Sequence, residues 1–525
     1  MTSAQVVQAI EVDTDEVASA PRVTVDDVKM DAGIHRVSPL AATDSKPAGS
    51  SRHRGVALAV AVVALLGGTA AIVAASVGSS STCCGGYDSD EPVLLVPFAS
   101  CEALISTLQV YPGYNPGTQL RLSDRYGQTG VSIIAFDEPI ALAASDGASS
   151  ARAESGGSST AATDYSTTNV QVEGIDEADI IKNDGRYIYS VGGSQLVILQ
   201  AHPPEARAVL SRTDLSANPS AGAGAGVGVE VFAAEEALLS NDGVLLVLAA
   251  AQLYDASHGR RFAALMCQTY NVSNPSAPSL LGSVTLEGVL STARLIGGHA
   301  YVALSSAPRL ASTPGPVALV DDVMPVTAAS AGAPLEPLAR CEDVNFVSEV
   351  QPRSLLTLAS ISMGGDTVGT LRSRVTIASG SSYREAAVHA NNGSIYVASY
   401  NSQWSCSSDC TPGQWWRRCA SDCTYQVSSA LTAFNVASNG SLTLRATGRV
   451  PGYLLSQWAM DEFSGHLRVA YTTNPSAGGA RRENAVDVLD AATLARVGRV
   501  SGLGRGERIY AVRFAGPLGY MVTFR

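Results

Sequence analysis

Two groups of side chains in this sequence have types and spacings that could do chemistry. The first is acidic: Glu173, Asp176, Glu177, Asp179 and Asp184 fall in one short stretch. Clustered carboxylates offer the oxygen ligands that Ca2+ takes, so Glu173, Asp176, Glu177 and Asp179 are candidate metal ligands. They lack the alternating ligands and the glycine of an EF-hand loop. Carboxylates at a strand start also accept hydrogen bonds from nearby backbone N–H groups, and that structural role is the favoured reading. The second group is Cys406-x3-Cys410 and Cys419-x3-Cys423, set among Trp404, Trp415, Trp416, Arg417 and Arg418. Four such cysteines could hold zinc, although strong zinc motifs use the tighter CxxC spacing. Two disulfides are preferred in an oxidising compartment, and three connectivities stay open. Trp and Arg are enriched at binding hot spots, so this aromatic, cationic loop is the expected interaction surface.

Catalysis finds little support. There is no HExxH, no GxSxG elbow and no Walker-type loop. His299 and His466 each follow a glycine in a turn, which reads as structural. Cys267 ends an apolar run and is expected as a buried thiol. No cofactor is implied beyond the Ca2+ option. The net charge of −12 repels a phosphate backbone, which argues against a nucleic-acid partner.

The elements that must position these groups are strands. From Asn169 onward, short Val/Ile/Leu/Tyr runs alternate with Gly, Asn-Asp and Ser-Gly turns, and no long helical period appears. A turn followed by an apolar strand recurs at Asn183-Asp184-Gly185, Asn241-Asp242-Gly243, Gly297-Gly298, Asn392-Gly393, Ser464-Gly465 and Gly516-Pro517. Most steps lie near fifty to sixty residues; the longest one holds a Pro/Ala-rich stretch, 307–340, read as an inserted loop. Such a period with several strands per unit predicts an all-β propeller of about six to eight blades. The chain stops at Arg525 inside an apparent strand, which gives the expectation of an incomplete propeller.

Residues 55–78 read GVALAVAVVALLGGTAAIVAASVG, without a charge. A helix of that length spans a bilayer core of about 30 Å. Arg52 and Arg54 precede it, and Asp88, Asp90 and Glu91 follow. The positive-inside rule then predicts a single-pass signal anchor with a cytoplasmic N-terminus, contacting membrane lipid through 55–78. The expected organisation is a disordered tail over 1–54, the anchor over 55–78, a spacer over 79–168 and the propeller over 169–525. The spacer carries one helix from Cys101 to Val110 and a Ser/Ala/Gly linker over 141–168.

The stretch NVQVEGIDEADII at 169–181, followed by KNDGRYIY, resembles the opening of a family of secreted or membrane-anchored bacterial and archaeal proteins. These proteins carry a C-terminal β-propeller distantly related to WD40 repeats. Further similar stretches are Phe98-Ala99-Ser100-Cys101-Glu102, Arg340-Cys341-Glu342-Asp343-Val344, Gly448-Arg449-Val450-Pro451-Gly452 and Gly506-Glu507-Arg508-Ile509-Tyr510. The resemblance implies architecture and brings no catalytic residues. It places Cys101 and Cys341 in two matching Cys-Glu motifs, which makes them candidates for a disulfide with each other. The expected function is an extracytoplasmic binding or scaffolding module with a protein or glycan partner. The alternatives are a hydrolase-like enzyme using the propeller channel and a Ca2+-dependent adhesion or sensing module.

Overall fold

The structure is a computed structural model. It describes residues 6–11, 95–109, 170–216, 227–255, 260–307, 323–329, 333–347, 352, 354–380, 386–406, 423–473 and 482–524. Six β-sheets follow one another along the chain. The first is an antiparallel meander of Ile181–Asn183, Tyr187–Gly192, Gln195–Gln200 and Ala208–Asp214. The second runs through Val227–Leu239, Val244–Asp255, Arg260–Asn271 and Ser279–Glu287. The third contains Val289–Ile296, His299–Ser306, Ser354–Ser362 and Leu371–Ser379. Ala387–Ala390, Ser394–Cys406, Cys423–Val436 and Leu442–Val450 form the fourth. Met460–Phe463, His466–Thr472, Asn484–Asp490 and Arg496–Leu503 form the fifth. The sixth pairs Arg508–Ala515 with Leu518–Phe524.

Each of the six recurring turns of the sequence is the link between the first and second strand of one sheet. The tight reversal needs a left-handed backbone, which glycine adopts at least cost. Gly185 (φ 87°) and Gly465 (φ 77°) supply it.

The sheets stack face to face in chain order. Tyr189, Leu196 and Ile198 of the first meet Leu245, Val247 and Tyr270 of the second. The second meets the third through Leu246, Leu248, Leu290 and Val302. Tyr301, Leu358, Ile395 and Phe434 join the third to the fourth. Leu431, Val450, Leu467 and Tyr471 join the fourth to the fifth, and Val486, Val488, Phe514 and Met521 join the fifth to the sixth. An inner sheet is therefore covered on both sides. This explains why Val244–Asp255 opens VLLVLAAA rather than alternating apolar with polar: ten of its twelve residues are buried, so neither face has to meet water.

The interval expected as an inserted loop feeds the neighbouring sheets. Val326–Ala328 extends the edge of the second sheet, and Asn345–Val347, just past that interval, adds to the third. Leu95–Pro97 pairs with Asn345–Val347, and the helix Cys101–Gln109 docks beside it. That helix buries Leu104, Ile105 and Leu108 against Val323, Met324 and Leu355. A Cys101–Cys341 disulfide pins the helix to the segment that follows this interval.

The membrane topology needs correction. Among the described residues no helix is long and apolar enough to cross a membrane. Residues 55–78, the expected anchor and lipid contact, lie outside the described residues, as does the linker 141–168. Val6–Glu11, expected on the cytoplasmic side, is a strand paired with Leu518–Phe524 from Val6↔Thr523 to Glu11↔Leu518. A backbone hydrogen-bond ladder needs both strands in one compartment. The single-pass arrangement, with a cytoplasmic N-terminus and the β-domain outside, is overturned.

Candidate functional site

The first strands of the first five sheets touch one another in succession. They form a hub, and the acidic stretch of the sequence crosses it. Asp176 and Glu177 pair antiparallel with Leu295 and Arg294 of the third sheet. Asp179 makes a β-bridge to Ala237 of the second sheet, and the first sheet begins at Ile181. At the other end of the crossing, Gln171 donates its side-chain amide to the backbone oxygens of Gln457 (3.1 Å) and Met460 (2.8 Å), at the fifth sheet. Ile175 buries its side chain among Ile296, Val388 and Ile395.

Charges on this strap are met by partners from the sheets. Lys182 is 2 % exposed, and its ammonium donates to Asp176 Oδ1 at 2.5 Å and to the Glu177 carbonyl at 2.9 Å. Glu177 accepts from the Gln171 N–H (2.8 Å) and the Gln457 amide (2.9 Å), with Arg294 Nη2 at 3.9 Å. Arg294 donates in turn to Gln457 Oε1 at 2.5 Å. Burial pulls the Arg294 guanidinium below its usual value, and Glu177, Glu236 and Asp176 oppose that pull. Ion pairs inside a protein persist only when such partners offset the loss of water.

The fifth sheet continues the network. Arg468 is wholly buried, donates to Asp461, and lies over the rings of Phe463 (4.9 Å) and Phe514 (4.8 Å). His389 is 1 % exposed, and its Nε2 accepts the Glu462 N–H at 3.2 Å. Its pKa is held down at about 4, first by burial and then by Arg294 and Arg468. Glu462 accepts from the Tyr396 hydroxyl and from Asn391 Nδ2, each at 2.6 Å, tying the fourth sheet to the fifth. Burial, followed by this bond, raises the Tyr396 pKa.

The structure thus spreads the candidate metal ligands rather than gathering them. Asp176 and Glu177 belong to the hub pairs. Asp179 Oδ1 accepts the Ile180 N–H, and Glu173 is exposed. Asp184 caps its turn, accepting the N–H groups of Arg186 and Tyr187 and the Tyr189 hydroxyl. Among the described residues, Cys101, Cys341 and Glu342 are the group whose potential ligand atoms lie within 4.8 Å of one another, and its two cysteines are joined as a disulfide. Cys267 is a buried free thiol whose pKa burial raises.

The second candidate region stands on the fourth sheet. Its two central strands, Ser394–Cys406 and Cys423–Val436, are longer than the strands beside them. Ala387 pairs opposite Ala398, and Val450 opposite Ser429. Beyond these points, Asn401–Cys406 and Cys423–Ser428 continue as a two-stranded arm, with Trp404 opposite Tyr425. Trp415, Trp416, Arg417, Arg418, Cys410 and Cys419 lie outside the described residues. Lys182, Arg294, His389, Gln457 and Arg468 are the hub residues that sequence reasoning missed. Their signal is a single polar residue interrupting an otherwise apolar strand or its turn.

Six stacked, largely antiparallel sheets around a polar hub make a repeat-built β-domain. The chain belongs to the beta propeller domain family, whose model matches residues 165–525. It is similar to an uncharacterized protein of Methanocaldococcus jannaschii, 46 % identical over 79 residues, which is 15 % of this chain and 12 % of that protein. A protein of Archaeoglobus fulgidus is 48 % identical over 87 residues, 16 % of this chain and 13 % of the relative. The chain thus spans only a small part of the curated relatives it matches. Among solved structures, the N-terminal domain of Nup159 covers 67 % of this chain and 90 % of its own length, at 9 % identity and a TM-score of 0.19. At that score the two backbones do not superpose closely.

Proposed function

We propose that this chain is a protein-binding module whose contact surface is the arm of the fourth sheet. The observation that carries this reading is the overhang of Asn401–Cys406 and Cys423–Ser428 beyond both neighbouring strands. A ribbon whose two edges pair with no strand among the described residues can add a partner's strand, and Trp and Arg side chains supply anchors. Trp404 lies on the arm, and the sequence places Trp415, Trp416, Arg417 and Arg418 between its two strands. The hub supports a positioning role, because its carboxylates already accept from Lys182, Gln457 and Arg468 and form an ion pair with Arg294.

The test uses the full chain as bait in a lysate of its source, with the captured protein identified by mass spectrometry and then purified. The purified partner should bind the Trp415→Ala/Trp416→Ala variant at least about tenfold more weakly, the loss expected of hot-spot residues. A Tyr254→Ala variant, altered on the second sheet, should bind normally. Equal binding by the arm variant overturns the reading.

A further inference from the structure

We infer that Asn271 and Asn439 carry N-linked oligosaccharide, each through its side-chain Nδ2. An Asn-x-Ser triplet without proline at x is the acceptor pattern for that modification, and such acceptors lie on surface loops. Asn271-Val272-Ser273, Asn392-Gly393-Ser394 and Asn439-Gly440-Ser441 fit the pattern. Asn271 and Asn439 stand at corresponding turns, the links between the third and fourth strands of the second and fourth sheets. Both are exposed. Asn271 Oδ1 accepts the Ser273 N–H at 2.9 Å, and Asn439 Oδ1 accepts the Ser441 N–H at 3.0 Å. Each bond closes an Asx-turn that ties the asparagine side chain to the serine two residues on. Among the described residues, nothing accepts from either Nδ2 and neither serine hydroxyl is engaged. Asn392 differs. Its neighbour Asn391 makes the turn, and Ser394 is 6 % exposed, its hydroxyl accepting from Arg445 Nη1 at 2.8 Å. The folded chain withholds the hydroxyl of that sequon. Asn274 supplies the converse case: it is exposed and forms an Asx-turn to Ser276, but Pro275 stands at x.

The two sites share one rim of the domain. At the first, the Val272 N–H donates to the Gly243 carbonyl at 2.9 Å, joining both turns at that end of the second sheet. Gly282, just past this turn, packs against Val368 and Gly369 in a turn of the third sheet. Just past the second site, the Leu442 N–H donates to Ser373 Oγ of the third sheet at 3.0 Å. The arm leaves the fourth sheet at the opposite ends of its strands. Sugar at Asn271 and Asn439 therefore clothes one rim and leaves the arm bare, and the inference holds whether or not the arm meets a partner. The Cys101–Cys341 disulfide belongs to an oxidising compartment, the setting of secreted proteins and their N-linked sugars. The donor is an oligosaccharide joined through phosphate to a lipid. The Nδ2–C1 bond forms and the C1–O bond to phosphate breaks. One amide proton is lost, and the lipid phosphate departs.

Peptide mass spectrometry of the full chain, purified from its source, tests it, with electron-transfer fragmentation to keep any sugar on its residue. Asn271 and Asn274 share one tryptic peptide, residues 262–294, so the control travels with the site. The expected result is sugar on Asn271 and Asn439, with Asn274 and Asn392 bare. Ser273→Ala and Ser441→Ala keep the asparagines and should abolish the sugar on Asn271 and Asn439 respectively. Ser273→Thr and Ser441→Thr restore a hydroxyl and should retain it, which separates loss of the acceptor pattern from a folding defect. A bare Asn271 or Asn439 in the parent chain, sugar that survives either alanine change, or sugar on Asn274 or Asn392 would each overturn the assignment.

Discussion

Acidification should weaken the fold through His389. In an unfolded chain histidine takes its proton near pH 6.5. In the folded domain His389 resists protonation until about pH 4, because it is buried, accepts the Glu462 N–H, and faces Arg294 and Arg468. Between these values the unfolded state binds more protons. Stability is therefore full above about pH 6.5 and is lost as pH falls towards 4. From the two pKa values, the loss through this residue is about 2 kcal/mol by pH 5 and about 3 kcal/mol by pH 4. The assay is urea unfolding at pH 7 and pH 5 of the parent chain and His389→Gln. Glutamine keeps an acceptor for the Glu462 N–H and takes up no proton. The variant starts lower at pH 7 through lost packing, but its drop between pH 7 and pH 5 should be smaller by about 2 kcal/mol. Equal drops, or an NMR titration of His389 in the folded state above pH 6, would refute the reasoning.

Other perturbations follow from the same geometry. Arg294→Met leaves Glu177 without its guanidinium in the hub and should cost about 3 kcal/mol in urea unfolding, part of it recovered in the Glu177→Gln/Arg294→Met pair. Gly440 has φ 83°, and a Cβ there would meet the His299 ring at 2.3 Å. Gly440→Ala should lower stability by about 1–3 kcal/mol, with partial relief on adding His299→Ala; a neutral melt would contradict this contact between the third and fourth sheets. Replacing Cys101 and Cys341 together by serine should remove about 2–4 kcal/mol, read as a fall in the melting temperature. An unchanged melting temperature would show that the helix is held by its apolar face alone.

The turns were the most legible part of the sequence. Asn183-Asp184-Gly185 and its five counterparts announce a reversal by local backbone chemistry, and each falls at the same place in its sheet. The acidic strap was legible as a motif, while its partners were not. Arg294 and Gln457 are 163 residues apart, and only the stacking order of the sheets brings them together. A lone Arg within the strand Val289–Ile296 and a Lys between Ile181 and Asn183 were nevertheless available signals, since a charge on a buried strand demands a counter-charge. The 1–54 tail misled for a different reason. Its polar composition hides the short strand Val6–Glu11, whose partner is at the far end of the chain. The length of the arm was also hidden, because an overhang is a difference between neighbouring strands and belongs to no single segment.

The strap at residues 171–179 has a consequence for how the domain assembles. In a linear repeat array, each unit rests on its neighbours and can fray from the ends. Here a segment preceding the first sheet is seated by residues of the second, third and fifth. It works as a keystone: Gln171 lacks its two backbone acceptors, and Glu177 its Gln457 partner, until Met460 has been made and folded into place. Premature chains would carry Gln171 and Glu177 without their full complement of partners, and the finished domain should come apart as one cooperative unit rather than sheet by sheet.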